Sequence, residues 1–173
     1  MDDNRSKRFV LIPFCLTCQA FQAQGIVKYE WKASIKPVIQ KLIDNDINII
    51  QMPCPESSYG NYSKSLVRKP MGLKGYDTEE YREHCKKICM QLFDMIKPIV
   101  DSGYTILAIL GIENSPSCAV SYIYTNKGMQ SRRGVFLKIL EDILKENNIE
   151  IPFIGVNRKS VRKSLEKLDE LLF

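Results

Sequence analysis

Histidine is almost absent from this chain: His84 is the only one among 173 residues. That scarcity weakens any zinc site built on two histidines, and any hydrolytic pair of cysteine and histidine. Long apolar runs are missing too. The run after the charged N-terminal stretch Met1–Arg8 is too short for a signal-peptide core and far too short to span a bilayer. The expectation is a cytoplasmic protein with no membrane partner. Neither a G-x-G-x-x-G nor a Walker sequence occurs, so a nucleotide-binding reading rests only on helix N-termini holding a phosphate, and it ranks last. Charge bias is slight, with 25 Lys and Arg against 20 Asp and Glu. So small an excess suits anionic or uncharged partners and does not imply nucleic acid. No internal repeat, low-complexity segment or second domain is visible, and the length fits one domain over 1–173.

Cysteine, by contrast, is present six times. In the cytoplasm such residues are expected to be thiols or metal ligands and not a disulfide framework. Three of them share a context. The apolar run Val10–Pro13 stops at Phe14-Cys15, Ile47–Met52 stops at Pro53-Cys54-Pro55-Glu56, and Tyr104–Leu110 stops at a turn that reaches Cys118. Each run reads as a buried strand that delivers a cysteine past its C-terminal end.

The pattern along the chain predicts strands at 8–14, 47–52, 104–110 and 151–156. Helices are predicted at about 34–46, from 77 to Gly103, at about 131–147, and from Asn157 onward. In the first helix Trp31, Ile35, Val38, Ile39 and Leu42 recur at spacings of three and four. In the second, Tyr81, Cys85, Ile88, Leu92, Met95 and Ile99 line one face, and Asp77-Thr78-Glu79-Glu80 supplies a cap and acidic first-turn residues. Residues 53–76 read as a long loop. Strands alternating with helices, with the strands continuously apolar, argue a single α/β domain. The expected sheet is parallel and four-stranded, in the order 2-1-3-4, with helices on both faces, Rossmann-like or flavodoxin-like. Ligands in such sheets bind outside the carboxyl ends of the strands at the switch point between strands one and three. Cys15 and Cys118 flank that point, and Cys54 follows the neighbouring strand.

Three thiolates on a rigid sheet edge form a candidate metal or cluster site, and thiolates suit soft ions and iron–sulfur clusters best. Glu56, beside Cys54, and Ser115 or Ser117, beside Cys118, are the polar groups placed to move protons or hold a substrate. Cys18 forms a C-x-x-C with Cys15 but has no second such pair as company; it stands as a possible fourth ligand, a redox partner or a bystander. Cys85 and Cys89 read as core, and His84 as a rim residue. Arg132-Arg133 and the Arg158-Lys159 start of the last helix read as solvated surface, with an anion contact as the alternative.

Cys15-Leu16, Cys54-Pro55-Glu56 and Glu113-Asn114-Ser115-Pro116-Ser117-Cys118 resemble the C-L-L-G, C-P-E and K-E-N-S-P-S-C motifs of the 2-thiouracil desulfidase family, within a clostridial-type, desulfidase-related branch. Gly134-Val135-Phe136 resembles a further family segment. The resemblance spans roughly 8–156, leaving 157–173 as a C-terminal helix. It implies a 4Fe–4S cluster held by Cys15, Cys54 and Cys118 with one iron open. It also implies Glu56 as the acid/base group, and Ser117 or Ser115 polarising or positioning a small thiolated substrate whose sulfur is replaced by oxygen. Thr17-Cys18-Gln19-Ala20-Phe21 and Ser57-Ser58-Tyr59-Gly60-Asn61-Tyr62 depart from the family pattern, and both lie on the expected substrate side. The alternative function is a non-catalytic zinc-binding or redox module on the same cysteines.

Overall fold

In the computed structural model the described residues are 3–27, 36–60 and 69–172. Trp31, Ile35, Asn61 and Tyr62, and the start of the first predicted helix at 34, fall outside them. The strands are β1 (Arg8–Pro13), β2 (Asn48–Met52), β3 (Thr105–Ile112), β4 (Ile123–Thr125), β5 (Gly128–Gln130) and β6 (Phe153–Val156). The helices are α1 (Phe14–Thr17), α2 (Lys36–Asp44), α3 (Gly72–Tyr76), α4 (Glu79–Asp101), α5 (Val135–Glu146) and α6 (Val161–Leu172). The main sheet runs β2-β1-β3-β6, and every neighbouring pair in it is parallel. This is the expected 2-1-3-4 order, with β6 as its fourth strand.

Both faces of the sheet are covered, which is why its strands read as unbroken apolar runs. On one face Leu11 and Ile109 pack against α4 and α5 through Leu92, Ile96, Phe136 and Leu140. On the other, Val10, Ile12, Ala108 and Leu110 pack against Val38 and Leu42 of α2 and Leu168 of α6. Adjacent residues of one strand thus point into two separate cores, as the two-residue period of a strand requires.

The helix boundaries follow local chemistry. Thr78 caps α4 by accepting from the Tyr81 amide at 3.2 Å, and Glu79 and Glu80 occupy its first turn. Gly103, at φ +75°, turns the chain out of that helix. Several details differ from the sequence expectation. Helix α5 opens at Val135, not near 131, because the carbonyls of Pro116 and Ser117 take the amides of Val135, Phe136 and Leu137 and so fix where the helix starts. Asn157 does not cap α6, which begins at Val161; its side-chain oxygen accepts from the Lys159 amide in a local turn. Gly72–Tyr76, within the stretch read as a long loop, forms α3, and the connection between β3 and α5, where no strand is expected, contains the antiparallel hairpin β4–β5.

Candidate metal and substrate site

Beyond the carboxyl ends of the sheet lies a cavity of about 350 Å³, and Cys15, Cys54, Cys118 and Glu56 all line it. Each thiol is delivered by a different strand end. Pro13 closes β1, and the one-turn helix α1 buries Leu16 completely, leaving Cys15 half-buried beside the cavity. Past β2, the hydroxyls of Ser57 and Ser58 donate to the Cys54 carbonyl, each at 3.1 Å, curling the chain so that Glu56 turns inward and is only 9% exposed. His84 of α4 holds the same curl. Its Nε2 lies 3.1 Å from the Pro55 carbonyl and 2.9 Å from the Ser58 hydroxyl. The carbonyl can only accept, so this nitrogen carries the proton. Partial burial pushes the His84 pKa below its ordinary value.

The loop after β3 is the most constrained of the three. Asn114 sits at φ +67° and its side-chain oxygen accepts from the Tyr124 amide at 2.6 Å, tying the loop to the hairpin. Glu113 accepts from the amides of Ser121 and Tyr122 and lies over Gly155, where a Cβ would stand 1.7 Å from its Oε1. The Ser115 hydroxyl accepts from the Cys118 amide at 3.0 Å and from the Ser117 amide at 3.3 Å. It also faces Glu56 Oε1 at 3.5 Å, a long contact that orients the carboxylate more than it binds it. Gly134 is required by close approach: a Cβ there would meet the Ser117 carbonyl at 2.4 Å. Most of the motif from Glu113 to Cys118, and Gly134 with it, therefore builds the loop that presents Cys118.

Ser117 does not line the cavity. Its hydroxyl is fully buried and pairs with the Tyr81 hydroxyl at 2.7 Å, behind the wall. The sequence reading put it at the substrate; the geometry gives it a structural contact, and leaves Ser115 as the serine beside Glu56. Cys18 also lies outside the cavity lining. Cys85 and Cys89 are buried in the α4–α5 core, where burial pushes the Cys85 thiol up to about 12 and the Cys89 thiol higher still. Both stay protonated. Arg132 pairs with Asp77 and Arg133 with Glu141, so neither is an idle surface cation. Tyr122 and Tyr124, whose rings meet edge-on at 5.8 Å, line the cavity with Phe14 and Phe21. The sequence reading missed these aromatics, although the Tyr122-Ile123-Tyr124-Thr125 alternation before an Asn-Lys-Gly turn is a hairpin signal.

The Cys118 thiol is pushed far up, first by burial and then by Cys15, Cys54 and Glu56. Three thiols and a carboxylate around one partly dry space disfavour each other as anions, and positive charge among them would remove that conflict. All six cysteines are thiols, none in a disulfide. Among the described residues no three His, Cys, Asp or Glu side chains approach closely enough to hold a single ion. The thiols stand around a cavity instead. Thiolates suit iron–sulfur chemistry, and a cavity lined by three of them has room for a group of several atoms, so the donor type and the cavity fit a cluster.

No family model matches the chain. The uncharacterized protein MJ0003 of Methanocaldococcus jannaschii is 28% identical over 170 residues, covering 97% of this chain and 99% of that protein. A solved structure of the 4Fe–4S-dependent thiouracil desulfidase TudS superposes with a TM-score of 0.51 at 16% identity, covering 94% of this chain and 99% of the other. The chain shares that fold. The likeness extends beyond the 8–156 stretch in which the motifs lie. Among the described residues no helix is long and apolar enough to cross a membrane.

Proposed function

We propose that this protein is an iron–sulfur-dependent desulfidase that exchanges the thiocarbonyl sulfur of a small planar heterocycle for oxygen. The observation that carries this reading is the convergence of Cys15, Cys54, Cys118 and Glu56 on one cavity. A 4Fe–4S cluster on these three thiolates would leave one iron without a protein ligand, soft enough to take a thiocarbonyl sulfur. The net reaction consumes one water and converts C=S to C=O with release of hydrogen sulfide. Glu56 is the group that takes the proton from the attacking water and returns a proton to the departing sulfur, the ordinary work of a positioned carboxylate. Ser115 keeps Glu56 turned toward Cys118 and braces the Cys118 amide with the same hydroxyl. The rings of Phe14, Phe21, Tyr122 and Tyr124 supply apolar walls for a flat heterocycle and limit water.

Anaerobically prepared protein, incubated with a panel of thiolated pyrimidines, tests this directly. Sulfide release with formation of the oxo compound supports the reading. Iron-loaded protein that releases no sulfide from any member contradicts it.

A further inference from the structure

The amide side chains of Asn114 and Asn157 on the cavity wall already have partners. Asn114 takes the Tyr124 amide, and Asn157 donates to the Tyr122 hydroxyl. Gln22, which lines the same cavity, is different. Its Nε2 makes a long hydrogen bond of 3.4 Å to the Cys15 carbonyl. A carbonyl can only accept, so that contact fixes which end of the side-chain amide is nitrogen and which is Oε1. Oε1 is buried and has no hydrogen-bond partner among the described residues. A buried acceptor left unpaired is costly, and a donor brought to it offsets the cost.

The chain holds Gln22 in place. Helix α1 is followed by a single 3-10 turn, Gln19–Phe21, and the Gln22 amide closes it by donating to the Gln19 carbonyl at 3.0 Å. Phe21 packs on Phe14 with ring centroids 4.1 Å apart, and Ala23 on the other side is buried. Phe21 and Ala23 line the cavity as well. The orphan acceptor therefore belongs to a fixed turn in the wall, tied to the backbone that carries Cys15.

We propose that Gln22 is a specificity-determining residue, its Oε1 accepting a hydrogen bond from a substrate ring N–H next to the thiocarbonyl carbon. The substrate class is then a cyclic thioamide with that N–H free, and thiones substituted at that nitrogen are rejected. An amide oxygen has no proton to give. It therefore also selects the C=S, N–H tautomer over the thiol tautomer, whose bare ring nitrogen would face it lone pair to lone pair. Glu56 keeps the proton chemistry.

This rests on the desulfidase reading, but its test does not need turnover. Oxo analogues bind without reacting, so uracil, 1-methyluracil and 3-methyluracil serve as probes in calorimetric titrations of the anaerobically reconstituted protein. Uracil is expected to bind about tenfold tighter than one of the two methylated probes, and the probe that loses identifies which N–H is read. Gln22→Met should close that gap by weakening uracil. Methionine is about as long as glutamine and makes no room for the methyl group, so a gap caused by crowding would survive the exchange. Gln22→Glu keeps an acceptor but gives up the donation to the Cys15 carbonyl, and it should keep the gap. Gln24→Met makes the same exchange at an exposed position outside the lining and should be silent. Equal binding of all three probes to the native chain, a gap that persists in Gln22→Met, or equal weakening of all three in both Gln22 variants would overturn the proposal. The last result would make Gln22 a brace for Cys15 and nothing more. Sulfide release at equal kcat/KM from 2-thiouracil and both of its N-methyl derivatives would overturn it while leaving the desulfidase reading intact. A Gln22-dependent N–H preference without sulfide release from any thiopyrimidine would do the reverse.

Discussion

The hydroxyls of Tyr81 and Ser117 lie 2.7 Å apart in a fully buried hydrogen bond that joins α4 to the loop presenting Cys118. Burial pushes the Tyr81 pKa far up, so the bond is between neutral groups. Ser117→Ala removes this bond and leaves the Tyr81 hydroxyl only the weaker Cys85 thiol as a partner, which costs roughly 0.5–1.5 kcal/mol. Urea unfolding should show that loss. Once saturated with substrate at low temperature, the variant should keep most of its activity. A large fall in kcat with unchanged stability would instead mean that Ser117 touches the substrate.

Gly134→Ala probes the same loop from the other side. The added methyl would sit 2.4 Å from the Ser117 carbonyl and 2.6 Å from the Cys118 amide nitrogen. The backbone there, at φ −63°, suits any residue, so the effect is steric. Displacing the loop is expected to cost about 1–3 kcal/mol and to lower iron content per chain. Unchanged stability and iron content would show that the loop yields freely.

His84 couples the Cys54–Glu56 segment to pH. Its pKa is lowered, first by burial, with the Pro55 carbonyl opposing and Lys87 reinforcing the shift. The unfolded chain therefore binds the proton more readily than the folded one. The stability contributed by neutral His84 is fully present above its ordinary value of 6.5 and is lost as pH falls through 6.5 toward the folded value. Denaturation between mildly acidic and neutral pH should show this fall in the native chain and a shallower one in His84→Gln. Parallel curves would remove His84 from the account.

Glu56→Gln keeps the size and the Ser115 contact of the side chain but cannot exchange protons. Sulfide release is expected to fall by roughly 10²- to 10⁴-fold with iron content unaltered. Ser115→Ala should cost less, because it only turns Glu56 and frees the Cys118 amide. A Glu56→Gln variant with native turnover would move the acid/base role elsewhere.

Much of this was legible in the residues. Val10–Pro13 and Ile47–Met52 are apolar runs closed by Pro13 and Pro53, and Tyr104–Leu110 is followed by Gly111, so the strands and their cysteines stood out, although β3 runs on through Gly111 to Ile112. The sheet order follows from connection rules acting on those strands. The direction of a side chain within a tight turn is not local information. Ser115 and Ser117 look alike in sequence, and only Tyr81, 36 residues away, decides which one is buried. The hairpin escaped notice because its strands are three residues each, below the length at which alternation is persuasive.

The central claim is that Cys15, Cys54 and Cys118 act as one ligand set. Anaerobic reconstitution followed by iron and acid-labile sulfide analysis tests it most directly, comparing the native chain with Cys54→Ala and Cys18→Ala. The account predicts equal amounts of iron and sulfide in the native chain and in Cys18→Ala, with broad visible absorption, and their loss in Cys54→Ala. Iron-free native protein, or a Cys54→Ala variant that loads as well as the native chain, would contradict it.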